Sequence, residues 1–282
     1  MDPNPELTHL YSCSRWAGKD PNEVISEFVR IGDGCCSELR LLEHVEDLPY
    51  DMNGNQASKG VEHLAGIDIW GEVNENMVVF IHGGFWQEGT RKVVSPAAVP
   101  LVKRGIALAA IGYEYASSTR TLLEVVRQVT AAVKLLLDRY PQVKAMTLAG
   151  HSAGAQLAFK VFTRLRSPRI QKLAFFAGAF DLKELPRCEI GTLIGLSPEE
   201  AEVNSCSALE LAGADVRVLI MVALKDSPRL IDQNREMVKA LKEHGIPTEY
   251  QEFQDRDHFS LIYDLRLEED EEAMRFLSFL RM

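Results

Sequence analysis

A chain of 282 residues, 46% hydrophobic and 26% charged, can bury a sizeable core without disulfide or metal staples. Its formal net charge of −10, from 31 basic and 41 acidic residues, argues against nucleic-acid and anionic-membrane partners. The five cysteines (Cys13, Cys35, Cys36, Cys188 and Cys206) are odd in number and form no CxxC pair, which argues against a disulfide scaffold and for free thiols in a reducing compartment.

The N-terminus has no basic start followed by an apolar core, so no secretion signal is expected. No apolar run reaches the roughly 18 residues of a membrane span, and the cytosol is the expected location. In chain order, residues 21–30 predict a short amphipathic helix, opened by Pro21, with Val24, Ile25, Phe28 and Val29 on one face. Asn53-Gly54-Asn55 reads as a turn. Residues 67–70 read as a strand, Asn74-Glu75-Asn76 as a hairpin turn, and the apolar run 77–81 as a central strand leading into His82-Gly83-Gly84-Phe85-Trp86. A helix over 93–104 and a strand over 106–111 follow. Then comes a long amphipathic helix over 121–140, with Val126, Val129, Val133 and Leu136 on one face.

Strands are predicted over 144–149, 170–177, 216–223 and 248–253, and helices over 157–165, 230–244 and 268–280. Residues 180–211 carry no strong strand pattern and read as short helices inserted above the C-terminal edge of the sheet. The alternation predicts an α/β fold with a mostly parallel eight-stranded sheet, helices on both faces and right-handed crossovers. No linker or repeat divides the chain. The expectation is one domain over 1–282, with an N-terminal segment over 1–60 and a cap-like insertion over 180–211.

Chemistry concentrates at Gly150-His151-Ser152-Ala153-Gly154. A Gly-x-Ser-x-Gly between a strand and a helix is a nucleophile elbow, with the serine at a sharp turn and helix N–H groups close by. Serine needs a histidine to take its proton, and the histidine needs an acid to fix its tautomer. The histidines downstream are His244, beside Gly245 at a helix end, and His258, in the loop after the last predicted strand. His258 is the better base. Asp226, after the preceding strand, is the expected acid. Asp181 is the rival from an earlier strand, and Asp232, Asp255 and Asp257 read as helix or turn residues.

The glycines of His82-Gly83-Gly84 suit an oxyanion loop, with the N–H groups of Ala153 and of either Gly84 or Phe85 as the expected oxyanion donors. Phe85 and Trp86 then stand as an aromatic wall for a substrate, while His82 and His151 read as structural hydrogen-bonding residues. No HExxH, P-loop or GxGxxG motif is present, and neither metal nor cofactor is expected.

These segments together resemble the kynurenine formamidase (arylformamidase) family of α/β hydrolases. Tyr11-Ser12-Cys13-Ser14-Arg15-Trp16 is similar to the family's YSPSRW, with Cys13 where proline is usual. HGGFWQEG, AGHSAGAQLA, Asp226-Ser227-Pro228 with Gln233, and His258-Phe259 resemble its remaining motifs. The acid segment departs from the family's pattern at Arg229-Leu230. The resemblance implies an α/β-hydrolase fold with Ser152 as nucleophile, Asp226 as acid, His258 as base, an oxyanion hole at Gly84, Phe85 and Ala153, and Trp86 near the substrate. It implies hydrolysis of N-formyl-L-kynurenine, a small aromatic formamide, to L-kynurenine and formate. Arg15 is a candidate for the substrate carboxylate. A carboxylesterase of small acyl or aryl esters is the alternative enzyme, and a non-catalytic binding protein on the same fold is the alternative of another class. Oligomeric state, including a homodimer, is left open.

Overall fold

The computed structural model describes residues 2–50 and 64–281; the turn expected at Asn53-Gly54-Asn55 lies outside them. Eight strands form one sheet in the order β1-β2-β4-β3-β5-β6-β7-β8. They are β1 (His44–Leu48), β2 (Ile67–Trp70), β3 (Asn76–Ile81), β4 (Ala107–Ile111), β5 (Ala145–His151), β6 (Ile170–Phe176), β7 (Arg217–Lys225) and β8 (Thr248–Asp257). From β4 onward across the sheet all pairings are parallel, whereas β2 runs antiparallel to both β1 and β4.

The helices are α1 (Pro5–Tyr11), α2 (Cys13–Trp16), α3 (Pro21–Leu39), α4 (Ala98–Val102), α5 (Leu122–Arg139), α6 (Ala153–Leu165), α7 (Glu189–Leu193), α8 (Pro198–Asn204), α9 (Pro228–Glu243), α10 (Ser260–Tyr263) and α11 (Glu271–Arg281). The apolar strands alternate between two cores. Met77, Val79 and Ile81 face one with α1, α5, α6 and α9, and Val78 and Phe80 face the other with α3, α4, α10 and α11. A parallel sheet covered on both faces requires apolar residues at every strand position, which is why these segments read as continuous apolar runs. No helix among the described residues is long and apolar enough to cross a membrane.

Three expectations are corrected. The hairpin at Asn74-Glu75-Asn76 does not form, because β4 lies between β2 and β3. β2 finds its partners in β1 and β4, and its buried Asp68 is met by Arg91 Nε at 2.9 Å and Lys92 Nζ at 2.6 Å. The helix expected over 93–104 is instead a 3-10 helix, Arg91–Ala97, followed by the short α4. Pro96 lies within it and cannot donate to an α-helical ladder. Finally, α3 runs on to Leu39, because Cys35, Cys36 and Leu39 extend the buried stripe begun by Val24 and Phe28. Ile25 and Val29, expected on that stripe, are exposed over 41% and 45% of their surface and line a cavity.

Candidate active site

The elbow follows from close packing at the end of β5. Gly154 has no room for a side chain, since a Cβ would lie 2.1 Å from the carbonyl of Ile81. The chain therefore turns tightly, and Ser152 takes φ 56° and ψ −121°. Such a conformation costs a non-glycine residue about 1–3 kcal/mol. Hydrogen bonds fix it in place. Ser152 N–H donates to the Phe176 carbonyl at 2.8 Å, and its own carbonyl accepts from Ala155 and Ala179 N–H at 3.0 and 3.2 Å. The Ser152 Oγ is buried and makes no hydrogen bond among the described residues.

His258 follows β8 and Asp226 follows β7, two neighbouring parallel strands, so both side chains emerge at the same sheet edge as Ser152. His258 Nδ1–H donates to Asp226 Oδ2 at 2.6 Å, and both residues are buried. That bond leaves Nε2 as the atom able to accept a proton. The other Asp226 oxygen accepts from Ser227 N–H at 2.5 Å. Ser227 Oγ donates to the Leu10 carbonyl at 2.6 Å, tying the loop of Asp226 to α1. Asp257 accepts from Phe259 and Ser260 N–H, both at 2.9 Å, and so builds the turn that presents His258.

The rival Asp181 is engaged elsewhere. It accepts from Lys183 N–H at 3.0 Å, pairs with Lys183 Nζ at 3.2 Å, and is not joined to His258. Gln233 pins that loop, accepting from Phe180 and Asp181 N–H at 2.9 and 3.0 Å and donating to the Asp181 carbonyl at 2.7 Å. His244 is exposed, with its Nδ1 2.8 Å from the Ala240 carbonyl at the end of α9.

His151 supplies a link that residue types alone did not reveal. Its Nε2–H donates to the His258 carbonyl at 2.9 Å, and the two rings lie 4.3 Å apart. Burial, and then the neighbouring His258, hold His151 well below the usual histidine range, so it stays neutral. Phe28 packs edge-on against both His151 and Phe259, bringing α3 against the residues that flank His258.

Gly84, Phe85 and Trp86 all have positive φ, at 102°, 46° and 61°. Gly84 is obligatory there, because a Cβ would lie 2.1 Å from the Glu88 carbonyl. The N–H groups of Gly84, Phe85 and Ala153 have no acceptor among the described residues, as donors reserved for a ligand oxygen require. Trp86 is a correction. It is fully buried, does not line the cavity, and donates its Nε1–H to Gln156 Oε1 at 3.0 Å. It serves as the anchor of the strained loop, while Phe85 lines the cavity. His82 stacks on Tyr113 with centroids 4.3 Å apart and contacts the Gly83 carbonyl at 2.7 Å; burial lowers its pKa to about 4.

The cavity, of about 330 Å³, is lined by Ser152, His258, Gly84 and Phe85 on its reactive side and by Phe28, Phe259, Ile190 and Leu193 on its apolar side. Leu193 and Ile190 come from α7, within the stretch read as short helices. Among the described residues, two donor sets are close enough to hold a cation. Cys13, Asp226 and His258 bring ligand atoms within 4.8 Å of one another, and so do Asp264, Asp270 and Glu272. In the first set, imidazole and carboxylate already bond each other, and burial and the Asp226 charge push the Cys13 thiol up, away from thiolate. In the second, Arg256 bonds Glu272 at 2.5 Å and Asp270 at 2.9 Å, and Arg266 pairs with Asp264 at 3.0 Å, so each carboxylate already has a cationic partner.

A family model described as BD-FAE matches residues 70–172. The kynurenine formamidase of Danio rerio is 29% identical over 272 residues, 92% of this chain and 90% of the relative. That of Drosophila melanogaster is 30% identical over 216 residues, 71% of each chain. Among solved structures, carboxyl esterase 2 of Tuber melanosporum superposes with a TM-score of 0.67 at 20% identity, covering 84% of this chain and 86% of its own. A Pyrobaculum calidifontis esterase gives 0.68 at 17%, covering 99% and 98%. These likenesses identify the fold as that of the α/β hydrolases.

Proposed function

The chain belongs to the kynurenine formamidase family, and from that premise we propose that it hydrolyses N-formyl-L-kynurenine to L-kynurenine and formate with Ser152, His258 and Asp226 as its catalytic residues. The observation that carries the reading is the 2.6 Å His258–Asp226 pair, whose His258 shares the wall of one cavity with Ser152.

In this mechanism His258 Nε2 takes the Ser152 proton as Oγ attacks the formyl carbon. The oxyanion is held by the N–H groups of Gly84, Phe85 and Ala153. Imidazolium then gives its proton to the departing arylamine nitrogen as the C–N bond breaks, leaving a formyl-serine ester. Water, deprotonated by His258, attacks that ester and releases formate and the serine. Asp226 holds the imidazole tautomer and stabilises its cation throughout. The stretch over 180–211 acts as a cap on the cavity of a single domain. A reducing, cytosolic setting suits the five free thiols.

The test is steady-state turnover of N-formylkynurenine beside aryl acetates. Formamide turnover comparable to or above ester turnover is expected. Ester turnover far exceeding it would turn the reading to a carboxylesterase. Ser152→Ala should lower kcat by roughly 10⁴-fold or more.

A further inference from the structure

Outside its histidines, the cavity is lined by three charged side chains: Arg15 from α2, Glu88 after the oxyanion loop, and Glu189 at the start of α7. None of the three has an ion-pair partner among the described residues, although most of the chain's other cations have one. Around them the lining is mostly apolar, with the hydroxyls of Thr8, Ser12 and Ser14 and the amide of Gln87.

An apolar cavity with one unmatched cation and unmatched anions beside a reactive centre complements a molecule with an apolar body and a zwitterionic end. Glu189 opens α7, where the positive end of the helix offsets its charge. Glu88 has no such compensation. It keeps solvent contact, yet desolvation pushes its carboxyl above the ordinary range, with no cation offsetting the shift. It sits close to Gly84, where a Cβ would lie 3.1 Å from Glu88 Cγ, and this sets it beside the loop that carries Gly84 and Phe85. Arg15 offers a planar fork of donors suited to a carboxylate.

We propose that Arg15 and Glu88 form an amino-acid clamp, Arg15 binding the α-carboxylate and Glu88 the α-ammonium of the substrate. The clamp rests on the formamidase reading and adds to it the discrimination of an amino-acid formamide from a plain aryl formamide. Both residues act in binding and take no part in the bonds that change.

The experiment compares two substrates with the same reacting group: N-formyl-L-kynurenine, and 2-formamidoacetophenone, which lacks the amino-acid end. In Arg15→Ala the ratio of their kcat/KM values should fall roughly tenfold, as a lost charge-assisted hydrogen bond implies. The change should lie in KM for formylkynurenine. Arg15→Lys should recover part of the ratio, and Glu88→Gln should weaken formylkynurenine against its deaminated analogue, which keeps the carboxylate. An unchanged ratio in Arg15→Ala, or equal losses on both substrates, overturns the clamp. A wild-type protein inactive on both formamides would instead sink the function on which the clamp rests.

Discussion

At the scale of single residues, the geometry discriminates most sharply between Asp226 and Asp181, the two candidates for the proposed acid. Asp226 bonds His258 Nδ1 at 2.6 Å, whereas Asp181 spends its carboxylate on its own loop and Lys183. Asp226→Asn should therefore lower kcat by about 10⁴-fold by favouring the wrong imidazole tautomer. Asp181→Asn should change kcat by less than a few-fold, since its bonds are local and partly exposed. The comparison of the two rates decides, and a severe Asp181→Asn beside a mild Asp226→Asn would reverse the assignment. Chain order pointed to Asp226 but left Asp181 open, because two loops at one sheet edge can each reach a histidine. The choice appears only when the side chains are placed.

At the scale of elements, the loop over Gly84, Phe85 and Trp86 shows how strain is held by packing. Three successive positive φ values, two of them at Phe85 and Trp86, are unfavourable in isolation. They are fixed by the burial of Trp86, by the Ala116 N–H bond to its carbonyl at 2.8 Å, and by the Trp86–Gln156 bond. Gln156 in turn donates to the Asn204 carbonyl at 3.0 Å, linking α6 to α8. Trp86→Phe would leave Gln156 Oε1 buried without its donor and should destabilise the protein by about 1–3 kcal/mol. Urea denaturation should register that loss, with KM little changed because the indole is not in the cavity. A rise in KM without any loss of stability would return Trp86 to the substrate wall.

The HGGFW segment was legible as a loop near the chemistry. Which aromatic ring faces the cavity was not, because a left-handed backbone sends successive side chains in directions that sequence spacing does not encode. The same holds for the strands. Those with continuous apolar runs were readable, while the exposed edge strand β1 carries no such run and gives no comparable signal.

At the scale of the whole molecule, buried histidines tie stability to pH. His82, with a pKa near 4, and His151, well below the usual range, are neutral when folded and take up protons near pH 6.5 when unfolded. Between about pH 6.5 and 4 the unfolded state binds more protons, so stability falls as pH falls through that window, by up to about 1.4 kcal/mol per pH unit for each histidine. Urea midpoints measured from pH 7.5 to 4.5 should decline below about pH 6.5. His82→Gln, which removes one of the two groups, should flatten the slope. A midpoint independent of pH across this range would contradict the neutral burial of both rings.

By itself the sequence determined the α/β order of elements, the elbow at Ser152, the glycine-rich loop before it and the histidine after the last strand. These are local signals, set by periodicity and by residues that a tight turn tolerates. The tertiary structure decided which groups meet. Asp226 and His258 are 32 residues apart, and His151 braces the His258 carbonyl across 107 residues. It also brought Arg15, Glu88 and Glu189 to one cavity from three separate segments. Contacts at such separations are created by the parallel sheet, which gathers the C-terminal ends of its strands at one edge, and no local pattern in the chain records which side chains meet there.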